Sequence, residues 1–202
     1  VLSVSVSPDG QRLVSTGADG TVILWDLTSG EALQELIPIN PITAIAVSPD
    51  SQIAVSGSTT GKLTLWNLDT GSIIRELDGS TSEIKSIAYH PDGNTILAGT
   101  VDGTILAWDI PTGEIRYQLT GHTDAVLSLA ICKDGMQLVS GSTDQTIRVW
   151  NIGHPDHLAA YAGHTGRVTA VVYSADGSTA YTSSTDGTLR EWDVNSGQVR
   201  FE

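Results

Sequence analysis

The sequence predicts an all-β protein of five repeated, four-stranded antiparallel units, and three observations carry that prediction. Five tryptophans, Trp25, Trp66, Trp108, Trp150 and Trp192, recur at intervals of 41, 42, 42 and 42 residues and are the only ones in the chain. Each is followed by Asp or Asn (Asp26, Asn67, Asp109, Asn151, Asp193) and closes a short apolar run such as Val22-Ile23-Leu24-Trp25. Turn sequences of the Ser-Pro-Asp-Gly type recur at the same period. A repeat of about 40 to 45 residues ending in Trp-Asp is the pattern of β-propeller blades.

Each unit opens on an apolar segment that reads as a buried strand: Val1 to Val6, Ile42 to Val47, Ile84 to Tyr89, Val126 to Ile131 and Val168 to Tyr173. Five turns follow, Ser7-Pro8-Asp9-Gly10, Ser48-Pro49-Asp50-Ser51, His90-Pro91-Asp92-Gly93, Cys132-Lys133-Asp134-Gly135 and Ser174-Ala175-Asp176-Gly177. Proline presets φ, Asp hydrogen-bonds the backbone ahead of it, and Gly accepts positive φ. A second strand comes next (Arg12 to Thr16, Ile53 to Gly57, Thr95 to Gly99, Gln137 to Gly141, Thr179 to Ser183), then a polar turn and the strand ending in Trp. Turns at Thr28-Ser29-Gly30, Thr70-Gly71, Thr112-Gly113 and Ser196-Gly197 lead into a fourth, more polar strand. Helical periodicity is absent throughout. The expected blades cover about 1–37, 42–78, 84–120, 126–162 and 168–202 of a single region, 1–202.

Composition narrows the partners. Ten Lys and Arg against 23 Asp and Glu give a net charge of −13, which repels phosphate backbones and anionic lipid. Neither nucleic acid nor membrane is therefore expected as a partner. No run approaches the roughly 20 apolar residues of a membrane span, and Val1-Leu2-Ser3-Val4 lacks a targeting pattern, so a cytoplasmic location is the default expectation. Cys132, the single cysteine, is expected as a small apolar residue in a buried strand.

These residues resemble the WD-repeat β-propeller family over the whole chain. In that family a Gly-His dipeptide precedes the innermost strand, and the His joins a buried hydrogen-bonded tetrad with Ser or Thr, Asp and Trp. The resemblance implies two complete tetrads: His122, Ser140, Asp144 and Trp150, and His164, Thr182, Asp186 and Trp192. Three units depart from the pattern. Unit one keeps Ser15, Asp19 and Trp25, but its Gly-His would precede Val1. Unit two keeps Ser56 and Trp66, while Thr60 replaces the Asp and Pro38-Ile39 occupies the Gly-His site. Unit three keeps Asp102 and Trp108, with Ser80 in place of His and Ala98 in place of the hydroxyl. The incomplete units are expected to be less rigid by about 1 kcal/mol per missing buried hydrogen bond.

The His, Asp and hydroxyl sets mimic a nucleophile, base and orienter, but a network repeated at fixed period beside each Trp reads as structural, since a catalytic site is built once. His154-Pro155-Asp156-His157 is a weak metal candidate that lacks a third ligand nearby in sequence, and it reads as a solvated loop. The Asp-Gly pairs lack the alternating acidic ligands of a calcium loop. No catalytic residue, metal or cofactor is expected.

The resemblance implies a docking rim where the loops entering the innermost strands meet the loops between second and third strands. Mapped onto this chain it carries Ala18, Asn40, Thr59, Glu83, Val101, Asp124, Thr143, Arg167 and Thr185. Glu83, Asp124, Thr143, Arg167 and Thr185 are the candidate partner-binding residues, with Arg167 singled out because Arg is enriched at binding hot spots. A non-enzymatic protein-interaction scaffold is thus expected. The alternative is a glycosidase-like propeller enzyme with channel carboxylates, yet the innermost strands carry no Asp or Glu. Family rings usually hold seven blades, so the five units are expected to belong to a larger ring, completed by further segments or another copy, with a self-closed five-blade ring as the alternative. Glu191, where the other units have Leu24, Leu65, Ala107 and Val149, points the same way.

Overall fold

Among the described residues twenty strands, β1 to β20, form five separate four-stranded antiparallel sheets, each a simple meander of consecutive strands. A computed structural model describes residues 1–152 and 156–201, leaving the side chains of residues 156–158 aside. Blade one holds β1 (Ser3–Val6), β2 (Arg12–Thr16), β3 (Val22–Asp26) and β4 (Ala32–Leu36). Blade two holds β5 (Ile42–Val47), β6 (Ile53–Ser58), β7 (Leu63–Asn67) and β8 (Ile73–Leu77). Blade three holds β9 (Ile84–Tyr89), β10 (Thr95–Thr100), β11 (Ile105–Asp109) and β12 (Ile115–Leu119). Blade four holds β13 (Val126–Ile131), β14 (Gln137–Ser142), β15 (Thr146–Asn151) and β16 (Asp156–Ala162), and blade five holds β17 (Val168–Tyr173), β18 (Thr179–Ser184), β19 (Leu189–Asp193) and β20 (Val199–Phe201).

The recurrent residues explain the recurrent shape. Ser7 donates to Asp9 at 2.5 Å, and the Asp9 carboxylate accepts the Gln11 N–H at 2.9 Å, closing the β1–β2 turn. Ser48 with Asp50 and Ser174 with Asp176 repeat this, while in blade three Asp92 takes the Asn94 and Thr95 N–H groups directly. The Asp or Asn after Trp25, Trp66, Trp108 and Trp192 caps the next turn with its side-chain oxygen. Asp26 accepts the Thr28 and Ser29 N–H groups at 2.8 Å, and Asn67 accepts those of Asp69 and Thr70 at 2.9 Å. In all five blades the third and fourth strands shift register beside the Trp, so the indole stands at a bulge that re-aims it.

Blades stack in chain order through their innermost strands, β1 on β5, β5 on β9, β9 on β13 and β13 on β17. Four apolar cores lie between successive blades. Val14, Val22 and Leu24 of blade one meet Ile45, Ala54 and Trp66 of blade two, and Val139, Ile147 and Val149 of blade four meet Val168, Val171 and Trp192 of blade five. Central strands are therefore covered on both faces, and β10 is buried along its whole length. The ladder of blade one begins at Ser3, not Val1, although the Leu2 N–H still bonds Thr16 O at 2.7 Å, and Val1 and Leu2 stand exposed. Cys132 is buried, but it heads the turn after β13 and is not within the strand. Among the described residues no helix is long and apolar enough to cross a membrane.

Candidate functional site

In blade four the side chains form a continuous relay. The Trp150 indole N–H donates to Ser140 Oγ at 2.8 Å, and Ser140 Oγ stands 2.7 Å from His122 Nε2. His122 Nδ1 lies 2.8 Å from Asp144 Oδ2. With the imidazole proton on Nδ1, every hydrogen of the relay meets an acceptor and the carboxylate terminates it, the arrangement a buried polar network requires. Blade five repeats it: Trp192 N–H to Thr182 Oγ1 at 2.8 Å, Thr182 Oγ1 to His164 Nε2 at 2.8 Å, and His164 Nδ1 to Asp186 Oδ2 at 2.9 Å.

Sequence reasoning missed one member of each network. Thr146 donates to Asp144 Oδ1 at 2.6 Å and Thr188 donates to Asp186 Oδ1 at 2.8 Å, while the backbone N–H of Thr123 and of Thr165 each reaches the other carboxylate oxygen at 3.0 Å. The signal was present as the recurring Asp-x-Thr of Asp19-Gly20-Thr21, Asp102-Gly103-Thr104, Asp144-Gln145-Thr146 and Asp186-Gly187-Thr188. Burial opposes ionisation of Asp144, but donors from Thr146, Thr123 and His122 outweigh it and hold the carboxyl at about 2. Asp186 is likewise held below the usual carboxylate range, its burial outweighed by Thr188, His164 and Thr165.

A depressed folded pKa stabilises the protein above the unfolded carboxyl value near 4, and that contribution is lost as pH falls toward 2. Asp144→Asn is therefore expected to flatten the acid limb, with the variant and the wild type converging below about pH 2 and diverging most above pH 4. Urea midpoints measured from pH 2 to 7 check this.

In the other blades the indole still finds an acceptor. Trp25 donates to Ser15 Oγ and Trp66 to Ser56 Oγ, both at 2.8 Å. In blade three, where Ala98 supplies no hydroxyl, Trp108 donates to the Asp78 backbone oxygen at 3.1 Å. Asp19 bonds Thr21 at 2.7 Å and Asp102 bonds Thr100 at 2.6 Å, so each acid caps its own turn and no His completes a relay there.

These networks are sealed. Ser140, Thr182, His122 and His164 are all buried, and Ser140 Oγ already accepts the indole proton. A nucleophile must reach substrate, and neither hydroxyl does. Lys85 is the single charged side chain on β1, β5, β9, β13 and β17, and it pairs with Glu83 at 2.7 Å. Among the described residues no three His, Cys, Asp or Glu side chains converge as a metal site. His154 and Pro155, with the side chains of Asp156 and His157, lie outside the described residues.

The rim residues are brought together in pairs. Val101 N–H donates to Glu83 O, Thr185 N–H to Arg167 O and Thr59 N–H to Pro41 O, within 3.0–3.1 Å, and Thr143 N–H reaches Ala125 O at 2.9 Å beside Asp124. Blades two to five thus each join their two loops at the same end of the sheet. Arg167, Thr185, Asp124, Ala18 and Thr59 are exposed, while Glu83, Thr143 and Asn40 are half-buried.

The sequence model of the WD domain, G-beta repeat family matches residues 1–26, 33–67, 71–109, 113–151 and 156–193. The chain belongs to the WD-repeat family. Over 36 residues this WD-repeat chain is 56% identical to Small ribosomal subunit protein RACK1y of Oryza sativa subsp. japonica. That stretch is 18% of the chain and 11% of the relative. The five matched segments each contain one Trp and the Asp or Asn that follows it.

Proposed function

We propose that this WD-repeat protein is a non-enzymatic interaction scaffold that docks protein partners on the rim formed by Glu83, Asp124, Thr143, Arg167 and Thr185. The observation that carries this reading is the pairing of the two loops in blades two to five, which fixes the backbone of the rim while Asp124, Arg167 and Thr185 stand exposed and Glu83 and Thr143 half-buried. A surface of fixed backbone loses little entropy on binding, the condition that favours docking. The relays of blades four and five support the same reading, because they anchor the loops behind the rim through the Thr123 and Thr165 N–H groups. The net charge of −13 favours protein partners with basic surfaces over nucleic acid. A relative whose name places it in a ribosomal subunit is in keeping with a role inside assemblies.

Reversing the two charges tests the face. The Arg167→Glu, Glu83→Lys double variant is expected to lose, by tenfold or more, the proteins that the wild type retains in affinity capture from native lysate, while staying folded with a stability lowered by no more than about 1 kcal/mol through the lost Glu83–Lys85 pair. Full retention of those proteins by the folded variant removes this rim from consideration.

A further inference from the structure

The turn between the second and third strands carries glycine in four blades, Gly20, Gly61, Gly103 and Gly187, at φ of +84 to +87°. Blade four carries Gln145 there, at φ +72° and exposed. Left-handed backbone costs any residue with a Cβ, and such strain collects at functional sites. Ser51 is the other non-glycine residue at positive φ among the described residues, and its hydroxyl takes the Asp9 N–H at 3.2 Å. The exposed Gln145 carboxamide makes no hydrogen bond among the described residues, so nothing inside the fold compensates its strain.

Arg167 gives a second, independent sign at the same internal boundary. A Cβ at Gly141 would stand 2.5 Å from Val168 Cγ1, so the end of β14 lies against the start of β17, and the turn of Gln145 meets the loop of Arg167. Arg12, Lys62, Lys85, Arg116 and Arg200 each pair with a carboxylate, and Arg75 with three carbonyls of blade three. The Arg167 guanidinium is exposed and meets no carboxylate among the described residues. Asp144 and Asp186, the acids next to Gln145 and Thr185, are held inside the relays by His122 and His164. Both backbones are fixed. The Arg167 N–H donates to Thr185 Oγ1 at 2.9 Å, the Thr185 N–H donates to Arg167 O at 3.0 Å, and the Gln145 N–H closes its turn on Ser142 O at 3.2 Å.

We infer that Gln145 and Arg167 form a subsite of the rim for an extended peptide segment of a protein partner. An Asp or Glu side chain of that segment sits on the Arg167 guanidinium, and one of its backbone amide groups on the Gln145 carboxamide. The inference rests on the docking rim proposed above and names what docks there. The chemistry of both side chains fits this occupant. A guanidinium meets a carboxylate through two parallel N–H donors, and a carboxamide sets an acceptor beside a donor, the complement of a peptide group. Asp124, exposed on blade four, and the net charge of −13 oppose a run of acids. The segment therefore carries its carboxylate among neutral or basic residues, in agreement with a partner whose surface is basic as a whole.

The test uses the whole 202-residue chain and random peptides of about twelve residues displayed at the N-terminus of a phage coat protein, which carry no free C-terminal carboxylate. The wild type is expected to select peptides with Asp or Glu at one fixed place, and Arg167→Glu to select Lys or Arg at that place. In fluorescence anisotropy with the most enriched wild-type peptide, Arg167→Glu is expected to bind at least about tenfold more weakly. Gln145→Met keeps the length of the side chain without its carboxamide and is expected to weaken binding about fivefold. Gln145→Gly is expected to weaken it as much without lowering the unfolding midpoint, because glycine adopts φ +72° without strain. The inference is overturned by a wild type that selects no peptide or selects peptides without that acid. It is also overturned by an Arg167→Glu variant that keeps the same peptide, or by a Gln145→Met variant that binds it as the wild type does. Selected peptides that bind through Glu83 and not Arg167 remove this occupant and leave the docking rim, whereas failure of the rim itself appears as full retention in the lysate capture.

Discussion

Ser140→Ala is expected to cost about 3 kcal/mol of stability, against about 1 kcal/mol for Ser15→Ala, although both remove one hydroxyl beside one tryptophan. The difference lies in what each oxygen serves. Ser140 Oγ receives the Trp150 N–H and bonds His122 Nε2, at 2.8 and 2.7 Å, and its removal leaves two buried polar atoms without that partner. An unpaired buried group costs about 1–3 kcal/mol. Ser15 Oγ serves only Trp25, which is half-buried, so water takes its place. Urea unfolding followed by tryptophan fluorescence measures both. Because repeat stacks can unfold unit by unit, hydrogen exchange in β14 and β15 locates the loss in blade four.

Gly141→Ala is expected to destabilise the boundary of blades four and five by about 2 kcal/mol, and Gly141→Val by more. A Cβ at Gly141 would stand 2.5 Å from Val168 Cγ1 and 2.9 Å from Val171 Cγ1, both on β17 and both buried. The strand backbone here accepts any residue, so the penalty is purely steric. It falls on the packing of one blade against the next. Gly57 and Gly99 stand in the same way 2.5 Å from Ile84 and 2.6 Å from Val126. Gly10→Ala is the control: nothing lies within 4 Å, and only its φ of +71° is strained, a cost of about 1 kcal/mol. Limited proteolysis should release blade five from the Gly141 variants first and leave the Gly10 variant resistant.

The number of blades was legible because each repeat must spend a Trp, a capping Asp or Asn and a turn at fixed places to build one sheet. The positions of most strands followed from the same turns. What stayed hidden depends on the backbone or on neighbours. Trp108 finds its acceptor in the Asp78 carbonyl, which any residue at position 78 would supply, so no side chain announces it. The bulge beside each Trp changes which face the indole takes and leaves no mark in composition. Thr146 and Thr188 were visible as Asp-x-Thr, yet that pattern also serves ordinary turns, as Thr21 and Thr104 show.

The proposed function gives rigidity and docking to different residues. The relays of His122 and His164 hold loops in place from within, and the rim offers Arg167, Asp124 and Thr185 from without. One quantitative capture comparison separates the two roles: isotope-labelled lysate proteins retained by wild type, by Ser140→Ala at a temperature where it is folded, and by Arg167→Glu, Glu83→Lys. A docking rim on a structural relay predicts that Ser140→Ala retains the wild-type set and that the double variant loses it. Loss of the set with Ser140→Ala and its retention by the double variant would contradict the assignment.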